Sequence, residues 1–174
     1  MRTLIVGLGN PGSRYDGTRH NIGFAILDEL AHRYDANWRE HPAWNAEIAE
    51  LPGGILLAKP TTYMNDSGRA VRAIAHYYSL TGDNVCISYD DRDLPFGSLR
   101  WTKRMRTGAH HNGLRSIAKE YGHDFIRLRF GIKNELMHHR QLADFVLDRF
   151  DASERQKLPD LIELAVNELV QRYR

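Results

Sequence analysis

His20 and Asp90 have the side chains for proton-transfer chemistry and positions that let them meet. An imidazole accepts a proton near neutral pH, and a carboxylate beside it orients the ring and stabilises the imidazolium as it forms. Asn10 and Asn65 add amides that can hold a carbonyl or an oxyanion. Such a set would activate water for hydrolysis without a covalent nucleophile. Each residue has a plainer reading. His20 fits a helix start, Asn10 beside Pro11-Gly12 fits turn chemistry, and Asn65 or Asp66 fits a helix cap. Their joint placement is what points to a site.

That placement follows from the elements around them. Leu4 to Leu8 is an apolar run closing on glycines, as a buried strand does. Helical spacing covers about 21–34, and a second helix runs from about Ser67 to Ser79. Ala46 to Leu51 and Gly54 to Ala58 flank Pro52-Gly53 and read as a hairpin. Val85 to Tyr89, Leu99 to Lys103 and Phe125 to Ile132 read as further strands, and Leu114, Ile117, Ala118 and Tyr121 mark a third helix. Asp151 with Glu154 has the spacing of a capping box, and Pro159 predicts a break or kink before the helix resumes to about Tyr173. Alternating strands and helices give an α/β class, a mixed sheet sandwiched by helices. Asn10, Met64-Asn65 and Asp90, directly after the strand ending at Tyr89, then gather beyond the carboxyl ends of three strands. His20 would sit at the first helix N-terminus, whose partial positive charge keeps an imidazole neutral.

Composition bounds the rest. The chain has 174 residues, 42% hydrophobic and 26% charged, which suits one domain over residues 1–174. No apolar run approaches the roughly 20 residues a membrane helix needs, and Met1 to Gly7 reads as a strand rather than a signal peptide. One cysteine, Cys86, excludes a disulfide framework. A cytoplasmic protein without a membrane partner is expected. The net charge of +2 is unevenly spread: residues 92–140 hold 11 Lys/Arg against 4 Asp/Glu, a local +7 that leaves −5 elsewhere. A segregated basic stretch suits a polyanion partner as well as a solvated surface.

Several motifs then resemble one family in order and spacing. Gly7-Leu8-Gly9-Asn10-Pro11-Gly12, Tyr15 and Thr18-Arg19-His20-Asn21-Ile22-Gly23-Phe24 look like the opening signature of bacterial peptidyl-tRNA hydrolases. Pro60 to Gly68, Asp90 to Gly97, His111 to Ile117 and Phe125 to Arg129 resemble the four that follow, with a weaker echo in Phe145-Val146-Leu147. The resemblance implies a peptidyl-tRNA hydrolase-like fold and an esterase that cleaves peptide from the terminal adenosine of tRNA. It needs no cofactor and no metal, and its partner is the tRNA acceptor end. It acts as a monomer. His20 would be the base and Asp90 its partner. Asn10, Asn65 and Asn112 would position carbonyls, Tyr15 and Met64 would line the cleft, and Lys103 and Arg129 would hold a tRNA phosphate. The chain departs from the family in three stretches. Met105-Arg106-Thr107-Gly108-Ala109-His110 replaces a glycine-rich run, Arg92 replaces an apolar residue, and Ile132-Lys133-Asn134 replaces a glycine, basic residue and proline. The chain also ends at Arg174, short for the family. These changes fall on the lid, the channel and the tRNA grip.

Four other readings compete. Gly7-Leu8-Gly9-Asn10-Pro11-Gly12 fits the dinucleotide pattern G-x-G-x-x-G, yet Pro11 and Asp16-Gly17 predict a loop where that fold starts a helix. Asp90, Asp91, Asp93, His110-His111 and His138-His139 could supply metal ligands, although no zinc spacing occurs. Cys86 between Val85 and Ile87 reads as core, and no G-x-S-x-G elbow is present. The alternative from another class is a non-catalytic or weakly active tRNA- or RNA-binding protein on the same fold.

Overall fold

Apolar runs form strands and helically spaced ones form helices, in the order β1 (Thr3–Gly7), α1 (Ile22–Arg33), β2 (Arg39–His41), β3 (Ala46–Leu51), β4 (Ile55–Pro60), α2 (Ser67–Tyr77), β5 (Gly82–Pro95), β6 (Leu99–Lys103), α3 (Asn112–Glu120), β7 (Phe125–Lys133), α4 (Leu142–Leu147) and α5 (Ala152–Tyr173). The structure is a computed structural model that describes residues 2–103 and 110–174. Its seven strands form one sheet in the order β2-β3-β4-β1-β5-β7-β6. The central four run parallel, and β2–β3, β3–β4 and β6–β7 pair antiparallel toward the edges.

Alternation along the strands makes two cores. Leu4 and Val6 of β1 face one side with Ala70, Ile74, Leu114 and Ile117 of α2 and α3. Ile5 faces the other with Leu27, Leu30, Val166 and Leu169 of α1 and α5. The sheet is thus buried on both faces, as parallel strands require. Helix α1 sits very close to the sheet. A Cβ on Gly7 would lie 2.3 Å from the Gly23 carbonyl oxygen, and one on Gly23 would lie 2.5 Å from Ser88 O. The glycines of the opening signature therefore bring α1 against the ends of β1 and β5.

Three expectations change, and one strand is added. Asp90 does not follow a strand that ends at Tyr89; β5 runs on to Pro95, and Asp90 and Asp91 pair with Phe130 and Gly131 of β7. The hydrophobic run marked only the buried half of that strand. Pro159 does not end its helix, since α5 continues from Ala152 to Tyr173. A complete capping box fixes its start, and burial of Ala165, Val166 and Leu169 fixes its far half. Exposed Pro159 removes one N–H, and its orphaned carbonyl partner can meet water. β2 lay below detection because Arg39-Glu40-His41 carries no apolar alternation. His20 sits not on the first helix but in a 3-10 turn, Arg19–Asn21, just before it.

Candidate active site

The parallel strands and the turns that follow them collect the candidate residues at one end of the sheet. Leu8-Gly9-Asn10 continues from β1, the 3-10 turn Met64–Asp66 follows β4, and Asp90 stands in β5. The segment before α3 adds His111, which caps that helix. Met64 is packed over the start of α3: a Cβ on Gly113 would come within 2.7 Å of its sulfur.

Asp90 is the hub. Its Oδ2 lies 2.9 Å from His20 Nδ1 and its Oδ1 lies 2.8 Å from His111 Nε2. The tautomers follow from the other ring nitrogens. His111 Nδ1 accepts from the backbone N–H groups of Gly113 and Leu114, at 3.1 and 3.4 Å, so its proton belongs on Nε2 and is donated to Asp90. His20 likewise donates its Nδ1 proton to Asp90. Its Nε2 has no partner among the described residues, and the side chain keeps 9% of its surface open. A lone pair on Nε2 is therefore left for water.

The carboxylate of Asp90 works against the lowering expected for His20 at the helix start. Burial is the largest influence and would lower its pKa, but charge attraction and the hydrogen bond to Asp90 together raise it above 6.5. For Asp90, burial pushes upward, yet His20 and His111 hold the carboxyl below its ordinary value. Asp90 thus stays ionised. Tyr89, edge-on to His111 with ring centroids 5.1 Å apart, is pushed by burial to about 12 and stays neutral.

Asn10 is held from both sides. Its N–H donates to Asn21 Oδ1 at 2.8 Å, and Asn21 Nδ2 donates to its carbonyl at 2.9 Å. Its Oδ1 accepts from Met64 N at 2.8 Å, so its Nδ2 remains as the donor for a ligand. Asn65 is exposed beside Met64, and Asn112 is exposed beside His111. The Asn112 amide oxygen accepts from Arg115 one turn along α3, which again leaves an NH₂ donor. Tyr15 is half-buried and meets Tyr63 edge-on at 6.3 Å.

Lys103 and Arg129 are not brought together. The β6–β7 ladder sets Lys103 opposite Ile126, three rungs from Arg129, or roughly 10 Å along the strand. Alternation also starts them on opposite faces, although β6 is an edge strand around which long side chains can reach. Lys103 pairs with Asp83 at 2.7 Å and is exposed; Arg129 pairs with Asp91 at 2.7 Å. Directly opposite Arg129 stands the exposed Arg100. The altered run Met105 to Ala109 lies outside the described residues.

The sequence reading of the hydrolytic site leaves out Asn21 and has His111 only as a possible metal ligand. Both stand inside the recognised motifs, but a helix cap and a bond to a loop backbone leave no spacing to read. His20, Asp90 and His111 offer ligand atoms within 4.8 Å of one another, a composition suited to a metal. Yet His111 Nδ1 spends its lone pair on backbone N–H groups, so Nε2 must keep the proton that coordination would displace. His138 and His139 lie exposed in a separate 3-10 turn. A dinucleotide cradle is filled by α1: a Cβ on Gly9 would touch the Phe24 ring at 2.7 Å. Cys86 is fully buried, and burial pushes its thiol up to about 12.

Comparison with known proteins sets the chain among peptidyl-tRNA hydrolases. A sequence model described as peptidyl-tRNA hydrolase matches residues 4–173. A peptidyl-tRNA hydrolase of Chloroflexus aurantiacus is 46% identical over 164 residues, covering 91% of this chain and 86% of its own length. One from Sulfurovum is 39% identical over 167 residues, covering 95% and 86%. The crystal structure of the Acinetobacter baumannii peptidyl-tRNA hydrolase superposes with a TM-score of 0.83 at 32% identity, over 99% of this chain and 92% of that one. These likenesses do not favour the non-catalytic RNA-binding alternative.

Proposed function

The chain belongs to the peptidyl-tRNA hydrolase family and hydrolyses peptidyl-tRNA, and from that premise we propose that His20 is its general base and Asp90 the residue that orients it. The observation that carries the reading is the 2.9 Å contact from His20 Nδ1 to Asp90, with no partner for Nε2 among the described residues. A water on Nε2 gives up its proton as its oxygen attacks the ester carbonyl. The imidazolium so formed is stabilised by buried Asp90 and returns the proton to the departing ribose oxygen. Water supplies the hydroxyl of the released peptide, and no covalent enzyme intermediate forms. His111 holds the second oxygen of Asp90, so the carboxylate cannot turn away.

The amide NH₂ groups of Asn10, Asn65 and Asn112 serve as donors to the peptide and ester carbonyls. Tyr15 and Met64 line the cleft for the substrate. Lys103 and Arg129 contact acceptor-stem phosphates, and their separation suits two points on the backbone rather than one. Phosphate contacts position RNA without reading its sequence, which suits an enzyme that takes many tRNAs. Catalysis is metal-independent, and the enzyme works as a cytoplasmic monomer; no described helix is long and apolar enough to cross a membrane.

The test is release of tRNA from an N-acetyl-aminoacyl-tRNA, with and without EDTA, for the wild type and His20→Ala. The expected result is EDTA-resistant cleavage that drops about 10²–10⁴-fold in the variant while tRNA binding persists. Near-normal cleavage by His20→Ala would remove the base assignment, and loss of wild-type cleavage in EDTA would restore a metal.

A further inference from the structure

Beside His20 lies a buried ion pair that the reaction does not use. Arg19 is 2% exposed and Glu154 is 4% exposed, and Arg19 Nη2 donates to Glu154 Oε1 at 2.7 Å. Arg19 Nη1 donates to the Phe145 carbonyl at 3.2 Å, and its guanidinium stacks 4.2 Å from the Phe145 ring centroid. Its own N–H donates to Asp148 O at 3.0 Å, and neighbouring Thr18 bridges to Arg149. Glu154 Oε1 also accepts from Asp151 N at 3.0 Å, and Oε2 accepts from Asn134 Nδ2 at 3.1 Å. One carboxylate thus gathers the His20 turn, the first turn of α5 and the segment after β7. Asn134 belongs to the Ile132-Lys133-Asn134 run in which this chain departs from its family's pattern.

This pair is a poor device for stability alone. Desolvating two charges offsets much of their attraction, and buried Arg19 Nε has no partner among the described residues. What the pair does supply is a fixed backbone position for the residue next to it. We infer that Arg19 and Glu154 are positioning residues, which hold the His20 turn so that its ring meets Asp90 and leaves Nε2 aimed at the attacking water. The inference rests on His20 as the base.

Two variants of the full chain test it, with His20→Ala as reference. Glu154→Gln keeps the shape and sets an amide NH₂ against Asn134. Arg19→Met/Glu154→Leu replaces the pair by apolar side chains, an exchange that buried ion pairs often tolerate without loss of stability. Folding is checked by circular dichroism. Both should lose about ten- to hundredfold in kcat, as a misplacement on the order of 1 Å does, with KM within about twofold. The imidazole N–H proton resonance of His20, assigned by its loss in His20→Ala, should shift or broaden in both. If a folded variant keeps wild-type kcat and an unmoved resonance, the pair is structural only and the inference fails. If neither variant folds, the pair is needed for the fold itself, and that result also overturns it. If His20→Ala itself retains activity, it is the base assignment that fails instead.

Discussion

Asp90→Asn tests the hub most sharply, because the structure says which way the new amide must face. An amide offers one oxygen and one NH₂, whereas both carboxylate oxygens now accept. His111 cannot adapt, since its Nδ1 accepts from Gly113 and Leu114 and its Nε2 keeps its proton. The amide oxygen therefore goes to His111 and the NH₂ to His20 Nδ1. That forces the His20 proton onto Nε2 and removes the base. The reverse orientation sets two donors face to face in a buried site, which costs about 1–3 kcal/mol. Only roughly one molecule in 5 to one in 150 then holds the productive arrangement. With the loss of the charge that stabilises imidazolium, kcat should fall about 10²–10⁴-fold. Removing the lock should recover part of this. In Asp90→Asn/His111→Ala the amide is free to turn its oxygen to His20, and kcat should exceed that of Asp90→Asn by at least about fivefold. The loss of the α3 cap costs about 1 kcal/mol and falls on stability, so a thermal melt separates it from turnover. Single-turnover cleavage of N-acetyl-aminoacyl-tRNA by the wild type, Asp90→Asn and the double variant is the assay. A double variant no faster than Asp90→Asn would refute the locked-tautomer reasoning.

The raised pKa of His20 puts the acid limb of kcat/KM above pH 6.5, and Asp90→Asn, which leaves burial unopposed, should move any residual limb downward; a limb at the same pH in both would contradict this. The same shift acts oppositely on stability. Its contribution is fully present below the unfolded value near 6.5 and is lost as pH rises through the higher folded value, so the melting temperature of the wild type relative to His20→Ala should fall as pH is raised from below 6.5. Asp90, with its pKa lowered, adds stability above its unfolded value of 3.8 that disappears as pH falls through the folded one. Lys103→Ala and Arg129→Ala should each flatten the plot of log affinity against log salt by ~0.7–0.9. Only Arg129→Ala should also change kcat, because it removes the ion pair of Asp91 beside Asp90, and unchanged slopes would reject the phosphate contacts. Gly68→Ala sets a Cβ 2.2 Å from the Ser116 carbonyl oxygen, so α2 must leave α3. A loss of about 1–3 kcal/mol, or roughly 2–12 °C in Tm, should appear by calorimetry, and a melt equal to wild type would show that the helices shift freely.

The sequence carries His20, Asp90 and Asn10 to one edge because strand ends and loop starts are visible as changes from apolar to polar residues. Asp90 shows the limit of that signal. It stands in mid-strand, and its burial depends on partners at Phe130 and Gly131 of a strand far along the chain. The His20 charge state shows another. A helix N-terminus is local and readable, but the carboxylate that outweighs it arrives from seventy positions away. Lys103 and Arg129 share a basic stretch in sequence, yet register and pleat decide which cations are neighbours, and those favour Arg100 beside Arg129. Pro159 misleads for a similar reason: propensity is local, whereas the capping box and Leu169 hold both ends of α5 through the rest of the fold.

The position of a single proton can be followed outward through this site into the fold. α3 begins at Asn112, so the N–H groups of Gly113 and Leu114 lack helical carbonyl partners and point back along the chain. His111 satisfies them with Nδ1, as an aspartate or serine cap does elsewhere, and in doing so fixes its other nitrogen as a donor. That donor takes one oxygen of Asp90 and leaves the other to His20 Nδ1, so the lone pair of His20 must lie on Nε2. Replacing the cap with serine would satisfy α3 equally well and still disturb catalysis, because serine is too short to hold Asp90. His111→Ser should therefore melt about 2–4 °C above His111→Ala, by the roughly 1 kcal/mol of restored capping, while kcat falls in both, a split between stability and turnover that calorimetry and the release assay measure on one sample. Equal kcat would mean that Asp90 needs no second partner to hold His20 in place.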